Sequence, residues 1–291
     1  LHDALPIFTE NTVTLTAPVT SANIIPPGED VAAGTLLVPK GKILTASDLA
    51  LIAGQGIAEI GVYKKLSIGL ISTGSELLNT GSPLEYGKIY NTNPYLLGGY
   101  IQKHHMTANY LNTVSDDLDS LCRAVLEALK TNDIVITTGG VSAGDFDYMP
   151  EVIRRIGGDL LFHRLKFKPG GAMLGAFKDG KVILGLSGNP GAAATGLLCV
   201  GFPFMRKLSG RSDITFSQAT AYLGVDFKKS SPVTRILKGH SDFKNGMLYF
   251  TPLSNQHNGS VSSMSDCDLL AVIPAGSKPL TAGDKLEVYI L

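Results

Sequence analysis

The chain has 291 residues, which suggests about two domains, and at 44% hydrophobic and 17% charged it can bury a sizeable core rather than remain disordered. Its 25 basic residues balance 25 acidic ones, so no overall field favours nucleic acid or an anionic membrane, and any anion site must be local. Cys122, Cys199 and Cys267 lie far apart without a CxxC pair, which argues against a disulfide framework or a structural zinc site and fits a reducing compartment such as the cytoplasm.

The adjacent His104 and His105 diverge on any regular element and are poor partners for one metal ion. No apolar run approaches the roughly 18 residues of a membrane span. The opening LHDALPIF lacks the charged and apolar regions of a signal peptide, and it lacks an initiator Met. The expectation is a fragment with a foreign or damaged start.

Residues 9–65 are rich in Thr, Val, Pro and Gly, with a turn at PPGED. Thr45-Ala46-Ser47-Asp48 reads as a helix start, with Leu49, Leu51 and Ile52 as its apolar face and Gly54 as its stop. From Leu66 the rhythm becomes strand–helix alternation. LSIGLIST is a buried strand, residues 93–103 a helix and ANYLNTV a second strand. Leu118, Leu121, Val125, Leu126 and Leu129 then recur at helical spacing. DIVITTGG is a third strand, followed by a helix carrying Met149, Val152, Ile153 and Ile156. LLFHRLKFKPGG is a strand bending into a loop, and KVILGLSGNPGAAATGLL a strand, a turn and a helix reaching about Lys207. Such alternation predicts a three-layer α/β/α domain with a mostly parallel sheet.

Past Gly210, the short alternating runs ATAYLGVDF, TRILKGH, MLYFTPL, LLAVIP and KLEVYIL predict a small all-β unit, a barrel or a sandwich. The expected division is 1–65 as the remnant of an N-terminal region, 66–210 as the α/β domain and 211–291 as the β domain.

The most informative stretch is DIVITTGGVSAGDFDY. Its β-branched run breaks at Gly139-Gly140, where uncovered amides meet a helix start and can hold an anion, with Ser142, Gly144, Asp145 and Asp147 close by. An ordinary βα loop with an Asp cap has the same local pattern. Ligands of open parallel sheets bind beyond the carboxyl ends of the strands. Those ends carry Thr73-Gly74-Ser75-Glu76, Ser115-Asp116-Asp117, the glycine loop, KFKPGG and LSGNP, the last with Ser187, Asn189 and Pro190. Carboxylates and the cations Arg164, Lys166 and Lys168 then share one edge, which suits a phosphorylated ligand with a divalent metal. Taken singly, Glu76 fits a helix-start charge, Asp117 an N-cap, Lys166 and Lys168 a solvated strand face, and Pro190 a helix initiator.

These motifs in order, from GEDVAAGTLLVPKGKILTASDLALIAGQGIAEIGVYKK through STGSEL, GKIYNTN, DD, TTGGVSAGDFDY, KFKPGGAMLGA and LSGNP to the β-rich tail, resemble the molybdopterin molybdenumtransferase family over nearly all of residues 22–291. The resemblance implies insertion of molybdate into adenylylated molybdopterin with release of AMP, a Mg²⁺ requirement and a homodimer when full-length. It implies Glu76, Asp116 and Asp147 as acids around the metal and the substrate phosphates, and Asp116, Asp147, Lys168 and Arg164 as the catalytic set. Thr73, Gly74, Glu76, Gly139, Gly140, Val141, Ser142, Gly144, Ser187, Asn189 and Pro190 would bind substrate. Lys168 would lie near the oxyanion, and Arg235 with Ser262-Ser263 would form a second anion patch.

The chain departs from the family pattern where Arg164 stands for a lysine, Gly171-Ala172 for lysine-proline, Ser187 for proline, and Pro27 for the arginine before GED. Against the family pattern, the expectation is that most of the N-terminal region is missing and that only its returning end survives in residues 9–65. Two other readings are a molybdopterin-nucleotide binding or scaffold module without turnover, and a molybdopterin adenylyltransferase, since that group shares the middle domain.

Overall fold

The computed structural model describes residues 7–14, 25–141 and 147–291. The chain divides into two compact units, Leu1–Pro39 with Leu44–Glu59 and Lys40–Ile43 with Ile60–Leu291. In the first, β1 (Ile7–Phe8) pairs antiparallel with β2 (Val13–Thr14). Helix α1 (Ala46–Gly54) starts at the expected place because Thr45 and Asp48 form a reciprocal capping box. Its expected apolar face is only partly right. Asp48 and Ile52, one turn apart, are the buried pair, while Leu49 lies about 100° around the helix and is exposed.

The second unit holds β3 (Ser67–Ser72), β4 (Leu77–Leu78), β5 (Ile89–Tyr90), α2 (Asn93–Lys103), β6 (Thr107–Tyr110), α3 (Leu118–Thr131) and β7 (Ile134–Thr138). After these come α4 (Met149–Arg155), β8 (Asp159–His163), β9 (Phe167–Lys168), β10 (Leu174–Lys178) and β11 (Lys181–Leu186). A continuous helical rod follows, α5 (Pro190–Gly196) and α6 (Phe202–Leu208) joined by a wider π-type turn over Leu197–Gly201.

Six strands form one sheet in the order β6-β3-β7-β11-β10-β8. Strands β6, β3, β7 and β11 run parallel, and β10 is antiparallel to both β11 and β8. Alternation decides the layers. Ile68, Leu70, Ile134, Ile136, Val182 and Leu184 pack on one face with Leu97, Ile101, Leu197 and Phe202 of the helices above. Ile71, Val135 and Ile183 point to the other face, against Leu121, Val125, Val152 and Ile153. Each such fully buried Ile or Leu contributes roughly 1.5–3 kcal/mol. The three-layer α/β/α sandwich with a mostly parallel sheet is as expected. Leu126 is exposed, off the buried stripe of α3. The ANYLNTV strand is shorter than expected, ending at Tyr110, with Val114 bridging back to Thr73.

Strands β12 (Gln218–Leu223), β13 (Thr234–Lys244), β14 (Met247–Pro252), β15 (Leu269–Ile273) and β16 (Lys285–Ile290) form the tail, with the one-turn helix α7 (Ser262–Ser265) between β14 and β15. The pairings β13-β15-β16-β12-β14-β13 close on themselves, so of the two expected forms the barrel is the one built. Phe250, Leu223, Leu237 and Val288 fill its interior. One strand comes from the other sheet's sequence neighbourhood: β9 pairs parallel with β13, Phe167 opposite Thr234 and Lys168 opposite Arg235. No helix among the described residues is long and apolar enough to cross a membrane.

Candidate active site

Strand β3 ends in a turn held by its own amides, Gly74 donating to Val114 O at 3.4 Å and Leu77 to Gly74 O at 3.2 Å. The Ser75 amide donates to Asp116 Oδ2 at 3.2 Å, so Asp116 and Glu76 flank one turn. The Glu76 carboxylate folds back over Gly74, and Lys88 Nζ braces the turn from behind by donating to Ser75 O at 2.5 Å. Asp117 is the N-cap of α3, accepting from the Ser120 amide at 2.8 Å. Hydrogen bonds from the Ser115 hydroxyl and then from Ser120 hold its carboxyl down at about 2.

Strand β7 ends beside it. The Thr73 amide donates to Thr138 O at 2.9 Å and the Gly139 amide to Leu186 O at 3.0 Å, so the three central strand ends are stitched together. Gly139 has φ +99°, and a Cβ there would stand 2.5 Å from Thr73 Oγ1 and 2.7 Å from Thr73 O. Only glycine fits this approach. Gly188 of the LSGNP turn lies against Gly139, and the buried Asn93 holds that turn by donating Nδ2 to Gly188 O at 2.8 Å. Asn91 accepts from Ser72 and donates to Thr113, fixing the floor. Thr73 Oγ1 and Asn93 Oδ1 are buried without a partner among the described residues. Ser187 Oγ accepts from the Asn189 amide at 3.2 Å, and Pro190 opens α5. Val141 is 1% exposed in the core, so only its backbone faces the loop.

At the end of β8 stands a third group. Arg164 has φ +66° and its Nη2 donates to Asp147 Oδ2 at 3.3 Å. His163 Nε2 lies 3.4 Å from the same oxygen, within ion-pair range but without hydrogen-bond geometry. Asp147 Oδ1 is buried with no partner among the described residues. The chain then crosses to the barrel. A Cβ on Gly171 would stand 2.2 Å from Phe167 O and 2.4 Å from Leu165 O, so this loop geometry excludes the lysine of the family pattern at that position. Directly opposed residues of a parallel pair share a face, so Lys168 and Arg235 are neighbouring cations on strands about 4.8 Å apart. Arg235 Nε donates to Ser231 Oγ at 3.4 Å.

The barrel also touches the LSGNP turn. The Gly191 and Ala192 amides, the first free donors of α5, both donate to Asn258 O, at 2.8 and 3.3 Å. That helix end is therefore filled by protein. Ser263 Oγ donates to Ser260 O and accepts from Lys238 Nζ, which occupies the buried Ser263. Ser262 is exposed, with its hydroxyl on Ser260 Oγ at 2.9 Å.

Thr73, Gly74, Glu76, Asp116, Gly139, Gly140, Ser187, Asn189 and Pro190 thus meet at the expected sheet edge. Ser142, Gly144 and Asp145 lie outside the described residues. The three acids expected around a metal are not brought into one cluster: among the described residues no three His, Cys, Asp or Glu side chains are grouped for an ion. Arg164, on a left-handed backbone, pairs with Asp147. Lys88, Asn91, Asn93, His163 and Lys238 were not singled out from the sequence. Three of them sit within GKIYNTN, whose polar residues so close to a strand edge were the available signal.

Residues 69–207 match the family described as "Probable molybdopterin binding domain", and residues 220–291 match the "MoeA C-terminal region (domain IV)". The chain is 34% identical over 282 residues to the molybdopterin molybdenumtransferase of Staphylococcus aureus (strain MRSA252), covering 97% of this chain and 67% of that protein. It is 35% identical over 272 residues to the one from Bacillus subtilis (strain 168), covering 94% and 63%. The molybdopterin biosynthesis moea protein from Pyrococcus horikosii superposes with a TM-score of 0.79 at 27% identity, covering 90% of this chain and 64% of that one. The chain spans about two thirds of the length of these relatives. Shared fold, shared motif order and this identity agree: the chain belongs to the molybdopterin molybdenumtransferase family.

Proposed function

We propose that the protein inserts molybdate into adenylylated molybdopterin with release of AMP. The observation that carries the reading is the stitching of three strand ends, Thr73, Gly139 and Leu186, beside the Asp116-bound turn and the LSGNP loop. In this reading Thr73, Gly74, Gly139, Gly140, Val141 through its backbone, Ser142 and Gly144 cradle the phosphate and pterin end. Ser187, Asn189 and Pro190 wall it on the helix side.

Lys168, with Arg235 beside it through the β9–β13 pairing, holds the molybdate oxyanion. Fixed positive charge there keeps the oxyanion beside the acceptor sulfurs at no reorganisation cost. Arg164 serves the chemistry through Asp147 rather than by touching the oxyanion.

Of the three expected acids, Glu76 and Asp116, which flank one turn, are proposed to hold Mg²⁺, while Asp147 lies with Arg164 and His163. The hard oxygens of Glu76 and Asp116 suit it, and such an ion needs only one or two carboxylates when phosphates and waters complete its shell. When bound, Mg²⁺ neutralises phosphate charge and assists cleavage of the phosphoanhydride.

Residues 66–210 and 211–291 are proposed as the molybdopterin-binding and C-terminal domains, and 1–65 as the end of an N-terminal region. The full-length protein is proposed to be a homodimer working in the cytoplasm, consistent with three free thiols. The test is an assay of full-length protein with adenylylated molybdopterin. AMP release dependent on both molybdate and Mg²⁺, and lost with EDTA, is expected. Molybdopterin binding with no AMP release would overturn the transferase reading in favour of a binding module.

A further inference from the structure

Lys238 is 0% exposed, on the barrel strand that also carries Arg235. Its ammonium forms no ion pair among the described residues; it donates to His257 O at 3.2 Å and to Ser263 Oγ. Burial lowers its pKa, which is the sign of a charge held at some expense. A buried cation without a carboxylate is costly unless acceptors are fixed around it. Gln256 supplies further fixation, accepting from the Lys238 amide at 3.1 Å and donating to Lys238 O at 2.6 Å. Segment 256–263 is thereby held to Lys238 at Gln256, His257 and Ser263.

That segment reaches the pocket directly. Asn258 O fills the first two amides of α5, immediately after LSGNP, and Lys238 Nζ lies 3.1 Å from where a Cβ on Gly191 would stand. Asn93 fixes the same turn from the opposite side through Gly188 O. A chain of hydrogen bonds therefore runs from β13 through 256–263 to LSGNP and on to the strand ends.

We infer that Lys238 is a positioning residue for the pocket: its buried ammonium sets the place of segment 256–263, and through Asn258 that of the LSGNP turn, relative to the Lys168–Arg235 cations. The inference rests on the proposed function only for its kinetic consequence; the clamp itself is testable without turnover. Lys238→Met removes the burial cost of the charge but leaves His257 O and Ser263 Oγ without their donor, so local exchange and the split between KM and kcat, rather than the melting temperature, separate positioning from bulk stability.

The experiment uses full-length Lys238→Met and Ser263→Ala proteins. By hydrogen exchange, the Gly191 and Ala192 amides are expected to exchange at least about tenfold faster in both variants, with those of β3 and β7 unchanged. In the AMP-release assay, KM for molybdate is expected to rise about tenfold with kcat within about twofold, since uniform binding and not the chemical step is loosened. Unchanged exchange at Gly191 and Ala192 would overturn the clamp, whatever the activity. Faster exchange with an unchanged molybdate KM would overturn the positioning role. Absence of turnover in the native protein would count against the transferase reading alone, and the exchange result would still decide the clamp. Should Lys238→Met fail to fold, Ser263→Ala, which removes one acceptor, gives the same two readouts.

Discussion

Replacing Gly139 with alanine tests the geometry of the sheet edge at its tightest point. Two costs add. A side chain at φ +99° is strained by about 1–2 kcal/mol. The new Cβ also stands 2.7 Å from Thr73 O, a backbone atom that cannot rotate away. Relieving such a contact by shifting packed backbone costs about 1–3 kcal/mol. A total near 3 kcal/mol corresponds to a melting temperature about 6–12 °C lower for a domain of this size. Differential scanning fluorimetry measures it, with Gly188→Ala as the comparison. A Cβ at Gly188 meets its nearest neighbour, Gly139 Cα, at an ordinary 3.6 Å, so a shift within about 2 °C is expected there. AMP release by Gly139→Ala should fall more than about tenfold, because the displaced strand end misplaces the phosphate cradle. A Gly139→Ala protein melting within about 2 °C of native would refute the claim that this contact fixes the edge.

Three further outcomes are expected. Arg164→Gly relieves a left-handed arginine but loses a half-exposed ion pair worth at most about 1 kcal/mol, so thermal stability should change little while AMP release falls. Lys168→Met and Arg235→Met should each raise the molybdate KM about tenfold, and the double variant should show less than the product, as two charges on one anion require; strict additivity would sink the shared site. Burial, then the positive charges of Arg206, Arg211, Lys103 and His105, lowers the His104 pKa to about 4. Its folded value lies below its unfolded one, so its contribution is fully present above about 6.5 and is lost as pH falls towards 4. The melting temperature should therefore drop across that window in the native protein, and less steeply in His104→Leu; parallel curves would contradict it.

The legible parts of the sequence were those where one physical signal acted alone. Ile134 to Thr138, all β-branched, can hardly be anything but a buried strand, and the 3.6-residue spacing of Leu121, Val125 and Leu129 marks α3. The barrel strands announced themselves by alternation between turn residues. Strand β10 was passed over, although Asp179-Gly180 is a hairpin signal, because the glycines of KPGGAMLG hid the run before it. Strand β9 was read only as a continuation of β8, and its transfer to the barrel was illegible in principle. Two residues carry no periodicity, and their partner β13 is far along the chain. The site was readable as a set of loops at one edge, since topology alone places strand ends together. Which side chain meets which was not. Arg164 was expected in the catalytic set, but its partner Asp147 emerges only from the structure. Lys238 carries no mark in the sequence, since its burial depends on the distant segment 256–263.

The crossing of β9 into the barrel bears on how the chain can be taken apart. A cut near residue 210 follows the change in sequence rhythm, yet it would strand Phe167 and Lys168 on one piece and their β13 partners on the other. A separately expressed tail would present unpaired backbone at Thr234 and Arg235, an edge prone to self-association. The excised α/β piece would keep a loop, Leu165 to Ala172, with no ladder to join. Split reporters, fusions and circular permutants are better opened at the exposed Asn245-Gly246 hairpin tip, where neither sheet is interrupted.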